Sequence, residues 1–307
     1  MTQQQPKAAG LSPSHISQAF IEACEAEVRA LKPGNVHVFA GGHGMQVADF
    51  ETSARVAAPF IANAKLGLGE RVLRSVEATF AAVHCNTNLG ILLLCAPIAA
   101  AAQHDARSAA DLHNQLGKVL SQLDSRDTTF VFQAIAAANP GGMGDDTQAD
   151  VRHAPPPGMT LMKAMHLARS RDLIAHEYVA GFQRVFDWHN QEFAPRLATG
   201  WSTEDAIARV YLHALARVPD SHVARKYGSA TAEATRRKAA AFETQYFASP
   251  SCRPTDAATQ RQLLEFDAEL KGQGINPGSL ADMMAAILFV SGLCQDQGSP
   301  ASIITTH

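Results

Sequence analysis

The sequence is short of aromatic residues: Phe, Trp and Tyr together make up 7% of its 307 positions, although 46% are hydrophobic. Such a core is built by close approach of small side chains, and the many alanines point to closely packed helices. Charge is also sparse at 18% of residues, with a formal net charge of −3. No basic block suggests nucleic-acid binding and no acidic tail suggests a disordered chain. The five cysteines, at 24, 85, 95, 252 and 294, form no CxxC pair and are odd in number. A disulfide framework and a cysteine zinc site are thereby disfavoured, and free thiols in a reducing cytosol are expected. The longest apolar run, Ile91 to Ala102, contains Pro97 and falls short of the ~20 residues that span a bilayer. The first ten residues are polar and lack an apolar signal core. The expectation is a soluble, cytoplasmic protein with neither nucleic-acid nor membrane partners.

Several familiar catalytic signatures are missing as well. There is no GxGxxG after a strand, no Walker A and no GxSxG. His176-Glu177 does not extend to a zinc-protease pattern, because position 180 is alanine.

What is present is helical periodicity. Ser12-Pro13 reads as an N-cap followed by proline in the first turn, opening a helix through Ala30. Asp49 or Thr52 is placed to cap a second helix towards Lys65, and Gly67 and Gly69 separate it from a third, about Glu70 to Ala82. Leu89 to Gln103 is apolar on every face and reads as the central buried helix. Further helices are expected at 108–123, 126–138, 160–170, 172–193, 203–217, 229–248, 256–271 and 279–294. Ser202 with Asp205 suits a first-turn cap, and Ser279 is placed to cap the last helix. The stretch 139–158 is rich in glycine and proline and reads as a loop, a subdomain joint or a flap. Val36 to Phe39 is too short to imply a sheet. The expected fold is all-α, one large helical domain over 12–296 between tails at 1–11 and 297–307, with polar loops between the helices.

Chemistry-bearing residues concentrate in those loops. Lys32-Pro33-Gly34-Asn35-Val36-His37, followed by Gly41-Gly42-His43-Gly44 and Asp49, joins a cation, an amide, imidazoles and a carboxylate across a sharp turn. His84-Cys85-Asn86-Thr87-Asn88-Leu89-Gly90 stands at the start of the most apolar helix, where free N–H groups and the helix dipole favour anions. Gly141-Gly142-Met143-Gly144-Asp145-Asp146 would let a ligand approach the backbone. Pro219-Asp220-Ser221-His222 with Arg225-Lys226 sets a carboxylate beside two cations, a pattern suited to phosphate and Mg²⁺. Asn276-Pro277-Gly278-Ser279 with Asp282 is a fifth, weaker cluster. Each has a structural alternative: Asn86-Thr87-Asn88 as a helix cap, Asp145-Asp146 as a solvated loop and Arg225-Lys226 as a solvated helix end.

In this order, the clusters resemble the triphosphoribosyl-dephospho-coenzyme A synthase family, enzymes that prepare the prosthetic group of citrate and malonate decarboxylase systems. The residues that carry the resemblance are Lys32-Pro33-Gly34-Asn35-Val36 with His43 and Asp49; Asn86-Thr87-Asn88-Leu89-Gly90; Asp220-Ser221-His222 with Arg225; and Gly278-Ser279-Leu280-Ala281-Asp282. Each motif is short, but together they run through nearly the whole chain. The resemblance implies an all-helical transferase that uses ATP and Mg²⁺. In the family reaction the ribose 2′-hydroxyl of dephospho-coenzyme A attacks the anomeric carbon of ATP, and adenine leaves. On that pattern Asp49, Glu77 or His43 would serve as base. Lys32, Arg225 and Lys226 would bind phosphates; Asn35, Asn86, Thr87, Asn88 and Ser279 would bind nucleotide or acceptor. Asp145, Asp146, Asp220 and Asp282 would hold Mg²⁺.

The family's second motif usually reads Asn-Thr-His-Lys-Gly, and this chain has Asn88-Leu89 in place of the histidine and lysine. Its third loop has Gly-Gly-Met-Gly-Asp in place of an arginine-bearing segment. In this it is closer to a divergent branch seen in archaea and in bacteria with methanopterin-linked one-carbon metabolism. The alternative readings are therefore a different acceptor, such as a pterin cofactor precursor, or a nucleotide-binding or hydrolysing protein. The alanine-rich helix at 229–248 suits a homodimer interface as well as a core.

Overall fold

In the structure, a computed structural model, residues 10–139, 154–249 and 251–295 are described. The chain runs through α1 (Pro13–Arg29), α2 (Val47–Ile61), α3 (Leu68–Val83), α4 (Leu89–Ala102), α5 (Ala109–Ser121), α6 (Ser125–Ala138), α7 (Leu161–Ala168), α8 (Leu173–Val179) and α9 (Gln183–Trp188). A π-helical turn, His189–Phe193, leads into α10 (Ala194–Ala198), α11 (Thr203–Arg217), α12 (Ser221–Tyr227), α13 (Ser229–Tyr246), α14 (Ala257–Gly272) and α15 (Gly278–Gln295). No strand occurs among the described residues; His37–Ala40 and Gly42–Met45 form isolated bridges. None of the described helices is long and apolar enough to cross a membrane.

Local chemistry accounts for most boundaries. Ser12 Oγ accepts the His15 N–H at 3.2 Å, and Pro13 sits in the first turn, where its missing donor costs nothing. Asp124 and Asp127 form a reciprocal capping box on α6, and Ser202 caps α11 through the Asp205 N–H. Small residues set the spacing between helices. A Cβ on Gly69 of α3 would lie 2.4 Å from the Asp127 carbonyl oxygen, so α3 meets α6 backbone to backbone.

Helix α4 is the centre of the molecule: every residue from Leu89 to Ala102 except Ala100 is buried. It lies against α15, which also packs on α1 and α11. Pro97 sits inside α4 and cannot donate to the Leu93 carbonyl one turn back. The Tyr178 hydroxyl of α8 donates to that carbonyl instead, at 2.8 Å. A helix-breaking residue is thus tolerated in the core because a neighbouring helix supplies the lost hydrogen bond.

The expected helix at 172–193 is broken. Gly181 and Phe182 adopt left-handed φ values of 65° and 63°, which ends α8 and lets the fully buried Phe182 reach the core. The Glu177 carboxylate accepts the Val185 N–H at 3.4 Å and restarts the chain as α9. The short helices α10 and α12 have no periodic apolar face and were not anticipated. Ala232, Thr235 and Ala239 of α13 are buried, with α13 packed on α11, so one side of this alanine-rich helix serves the core. Most of the 139–158 stretch, including Asp145 and Asp146, lies outside the described residues.

Replacing Tyr178 with Phe leaves the Leu93 carbonyl without its partner. We expect a loss of about 1–3 kcal/mol in urea unfolding with helical content retained, the cost of an unsatisfied buried acceptor.

Candidate active site

The Lys32–Asp49 loop is wound around a buried cation. Pro33 and Gly34, the latter at φ 85°, turn the chain back on α1, and a Cβ on Gly34 would come within 2.9 Å of Pro277. The Lys32 ammonium is fully buried. It donates to the carbonyls of Glu27, Ala30 and Val36 and lies 3.2 Å from Glu27 Oε1. Burial pulls its pKa down, and the Glu27 carboxylate opposes that pull. The expectation that Lys32 binds phosphate is therefore corrected: its hydrogen bonds are consumed within the protein.

From that anchor the loop reaches α14 and α15. Asp267 Oδ1 accepts the Gly34 N–H at 2.8 Å and lies 3.2 Å from His37 Nε2; Oδ2 holds Lys271 at 2.9 Å. The Tyr211 hydroxyl donates to the Pro33 carbonyl at 2.9 Å. These contacts leave Asn35 at the head of the turn, where its amide donates to Asn276 Oδ1 at 2.8 Å.

The second motif is held just as firmly. Asn86 Oδ1 accepts the Leu89 N–H at 3.1 Å, which caps α4. Thr87 donates to Ser53 Oγ at 2.6 Å and Asn88 to Thr79 Oγ1 at 3.1 Å. Both Thr87 and Asn88 are buried, so their first task is to fix the turn that precedes the central helix.

Asp220 proves to be a double cap. Its Oδ1 accepts the Val223 N–H at 3.0 Å at the start of α12, and its Oδ2 accepts the Leu280 N–H at 2.9 Å in the first turn of α15. Burial raises its pKa to about 6 against the pull of those bonds. With both oxygens committed and the residue buried, Asp220 is not placed to hold a metal, which corrects that expectation. It also takes over the capping expected of Ser279. Ser279 instead accepts from Ser221 Oγ at 2.8 Å, and Ser221 accepts from the Leu173 N–H at 3.0 Å. Accepting that bond leaves the Ser279 hydroxyl proton free to donate outward.

These pieces enclose one cleft of about 1330 Å³. Its polar side carries Glu27, Asn35, Asn86–Asn88, Asn276, Ser279 and Asp282, with Asp172, His222 and Arg225 next to them. Arg169 and Arg171 add positive charge, while Phe132, Ile135, Leu161 and Met165 form an apolar shelf. The first turns of α4, α7 and α15 all open on this space, so backbone N–H groups and helix dipoles favour an anionic ligand. Arg225 is aimed by Asp172 at 3.3 Å. Burial and the charges of Arg225, Lys226 and His43 depress the His222 pKa to about 4, so a neutral imidazole faces the cleft at pH 7.

Three candidate bases lie away from this lining. Glu77 is exposed on α3 and pairs with Arg74 at 3.2 Å. Asp49 Oδ2 accepts the Gln46 N–H at 2.7 Å and caps α2. His43 Nε2 donates to the Gly34 carbonyl at 2.9 Å. Lys226 does not line the cleft either; its ammonium lies over the Tyr227 ring. No three His, Cys, Asp or Glu side chains among the described residues are placed to hold one metal ion.

Glu27, Asp172, His222 and Asn276 were not singled out as site residues from sequence. Glu27 carried a readable signal: it is an acid on the apolar face of α1, in register with Ile16, Phe20, Ala23 and Cys24. His222 and Asn276 stand inside motifs that were noted. Asp172 and the two arginines lie where nothing in the pattern marks a site.

Comparison with known families matches residues 13–301 to the family described as ATP:dephospho-CoA triphosphoribosyl transferase. Among solved structures, the chain is similar to an Archaeoglobus fulgidus protein assigned as a triphosphoribosyl-dephospho-coA synthase. The two share 24% identity over 79% of this chain and 98% of that one, with a TM-score of 0.60, which shows a common fold. Curated proteins gave no match.

Lys32→Met removes one partner of a buried pair, so urea unfolding is expected to show a loss of about 3–5 kcal/mol. A phosphate-binding lysine would leave stability unchanged. His222 takes up its proton at pH 6.5 unfolded and at about 4 folded, so acid favours the unfolded chain. Its stabilising effect is present above pH 6.5 and is lost as pH falls towards 4. His222→Gln is therefore expected to retain roughly 1–2 kcal/mol of the stability that the wild type loses between pH 7 and pH 5.

Proposed function

The chain belongs to the ATP:dephospho-CoA triphosphoribosyl transferase family, and from that premise we propose that the cleft binds ATP and its acceptor side by side and carries out the transfer there. One observation carries the proposal: Asn35, Asn86–Asn88, Arg225, Ser279 and Asp282, drawn from four separated motifs, line the same cleft. Its volume of about 1330 Å³ exceeds the ~300–1,000 Å³ usual for one small ligand. That supports simultaneous binding of a nucleotide and a coenzyme-sized acceptor.

Each region has a task in such a reaction. The triphosphate is a strong anion, and it suits Arg225 with the first turns of α4 and α15. Asn35, Asn86 and Ser279 offer amide and hydroxyl groups to ribose or phosphate oxygens. The apolar shelf of Phe132, Ile135 and Met165 suits a base or the hydrocarbon part of the acceptor. Mg²⁺ enters with ATP as part of the substrate and takes most of its ligands from phosphates and water. Leu89 supplies no cation where the family's usual motif has lysine, which keeps the pterin-type acceptor as the second reading.

The test is adenine release from ATP and Mg²⁺, followed by chromatography with and without dephospho-coenzyme A. Acceptor-dependent adenine, with a product heavier by one triphosphoribosyl group, is the expected outcome. Adenine without acceptor would point to hydrolysis, and adenine only with a pterin precursor to the second reading. Arg225→Ala is expected to raise KM for ATP about tenfold, the loss of one charge-assisted contact.

A further inference from the structure

Two carboxyl groups in the cleft, Glu27 and Asp282, have opposite surroundings. Glu27 is buried and faces the Lys32 ammonium across 3.2 Å, and the three carbonyls around Lys32 hold that cation in place. Burial pushes the Glu27 carboxyl up, and the paired ammonium pulls it back towards ionisation. Asp282 has no such partner: no hydrogen bond or ion pair joins its carboxyl to another described residue. It is wedged over α4 at Gly90, its Oδ2 2.0 Å from where a Cβ on Gly90 would stand and beside the Ile174 side chain. Its open side is the cleft. Burial, and then the charges of Glu27, Asp220 and Asp172, raise its pKa well above the usual carboxylate range, opposed by Arg225. One carboxyl group paired with a fixed cation and one left unpaired in the same cleft are the arrangement that divides electrostatic from acid work.

We propose that Glu27 is the fixed carboxylate that stabilises positive charge at the anomeric carbon, that Asp282 is the proton carrier of the transfer, and that Lys32 is the positioning residue for Glu27. This rests on the transferase reading above. The C1′–N9 bond of ATP breaks with its electron pair leaving on adenine, and Asp282 gives its proton to a ring nitrogen of that base. The acceptor oxygen forms the new bond to C1′ and its hydroxyl proton passes to solvent water, from which the Asp282 carboxylate regains its own. Each turnover therefore ends with Asp282 protonated, and no further reagent is consumed. Gly90 belongs to the same device, because any side chain there would displace the carboxyl.

The test compares ATP with its N7-methyl analogue, whose base already carries a positive charge and leaves without an acid. Each is assayed for release of the base in the presence of dephospho-coenzyme A. Asp282→Asn is expected to lose at least about 100-fold with ATP and to stay within about tenfold of wild type with the analogue, as removal of a general acid requires. Glu27→Gln is expected to lose about 100-fold with both nucleotides. Equal losses for Asp282→Asn on both nucleotides, or wild-type rates on ATP, would overturn the assignment. Circular dichroism and calorimetric ATP binding check that the variant folds and binds.

If Asp282→Asn does not fold, wild-type pH profiles carry the test. The groups that face Asp282 are Glu27 and Cys24 of α1, Cys95 of α4, Asp172 before α8, and Asp220 and Arg225 at α12. The rate with ATP is expected to fall at high pH as Asp282 loses its proton, and the rate with the methylated nucleotide to remain level. The same falling limb for both would overturn the proposal. Absence of base release from wild type with either nucleotide would overturn the transferase reading itself, and the pair with it.

Discussion

The buried Lys32 ammonium is the interaction on which the rest of the site depends. It ties the end of α1 to the loop that follows, through the carbonyls of Glu27, Ala30 and Val36, and it supplies the counter-charge for the Glu27 carboxylate. Desolvating an ammonium is expensive unless every donor finds an acceptor. Here the backbone of the folded-back loop provides those acceptors. The turn at Pro33-Gly34 and the position of Asn35 follow from that requirement, so a residue that looks like a phosphate ligand acts as the peg of the loop.

The cleft opposite is assembled from helix beginnings. A helix centred on alanine and leucine, α4, fills the core, and a carbonyl freed by its own proline is taken up by Tyr178. Helices α4 and α15 meet closely because Gly90 makes room for Asp282. Asp220 fastens the start of α12 to the start of α15 with a single carboxylate. Polar groups that might have met a ligand directly are spent on fixing these ends. The cleft therefore has firm walls, and the groups left over are the amides, the Ser279 hydroxyl, the arginines and two carboxyl groups.

Legibility in the sequence divided along physical lines. The helical class was readable, and so were most helix positions, because caps such as Ser12 and Ser202 and the apolar period are local signals. The break at Gly181-Phe182 was not, since it depends on Phe182 finding a place in a core formed by distant helices. The motifs that border the cleft were visible as clusters of loop residues. Their division of labour was misread for Lys32, Asp220 and the three candidate bases, because a lone Lys or Asp carries no local mark of whether it will be buried and paired. Glu27 stood in plain view on an apolar helix face.

The order of the motifs also carried the family, which the match over residues 13–301 bears out. By itself, then, the sequence determined the helical architecture and the set of residues from which the cleft is built, since both follow from short-range spacing. Only the tertiary structure decided which acid is paired with a cation, which lies unpaired against the cleft and which caps a helix. Those outcomes depend on burial and on partners from residues far apart in the chain: the Leu280 N–H for Asp220, Gly90 for Asp282, and the folded-back carbonyls around Lys32 for Glu27.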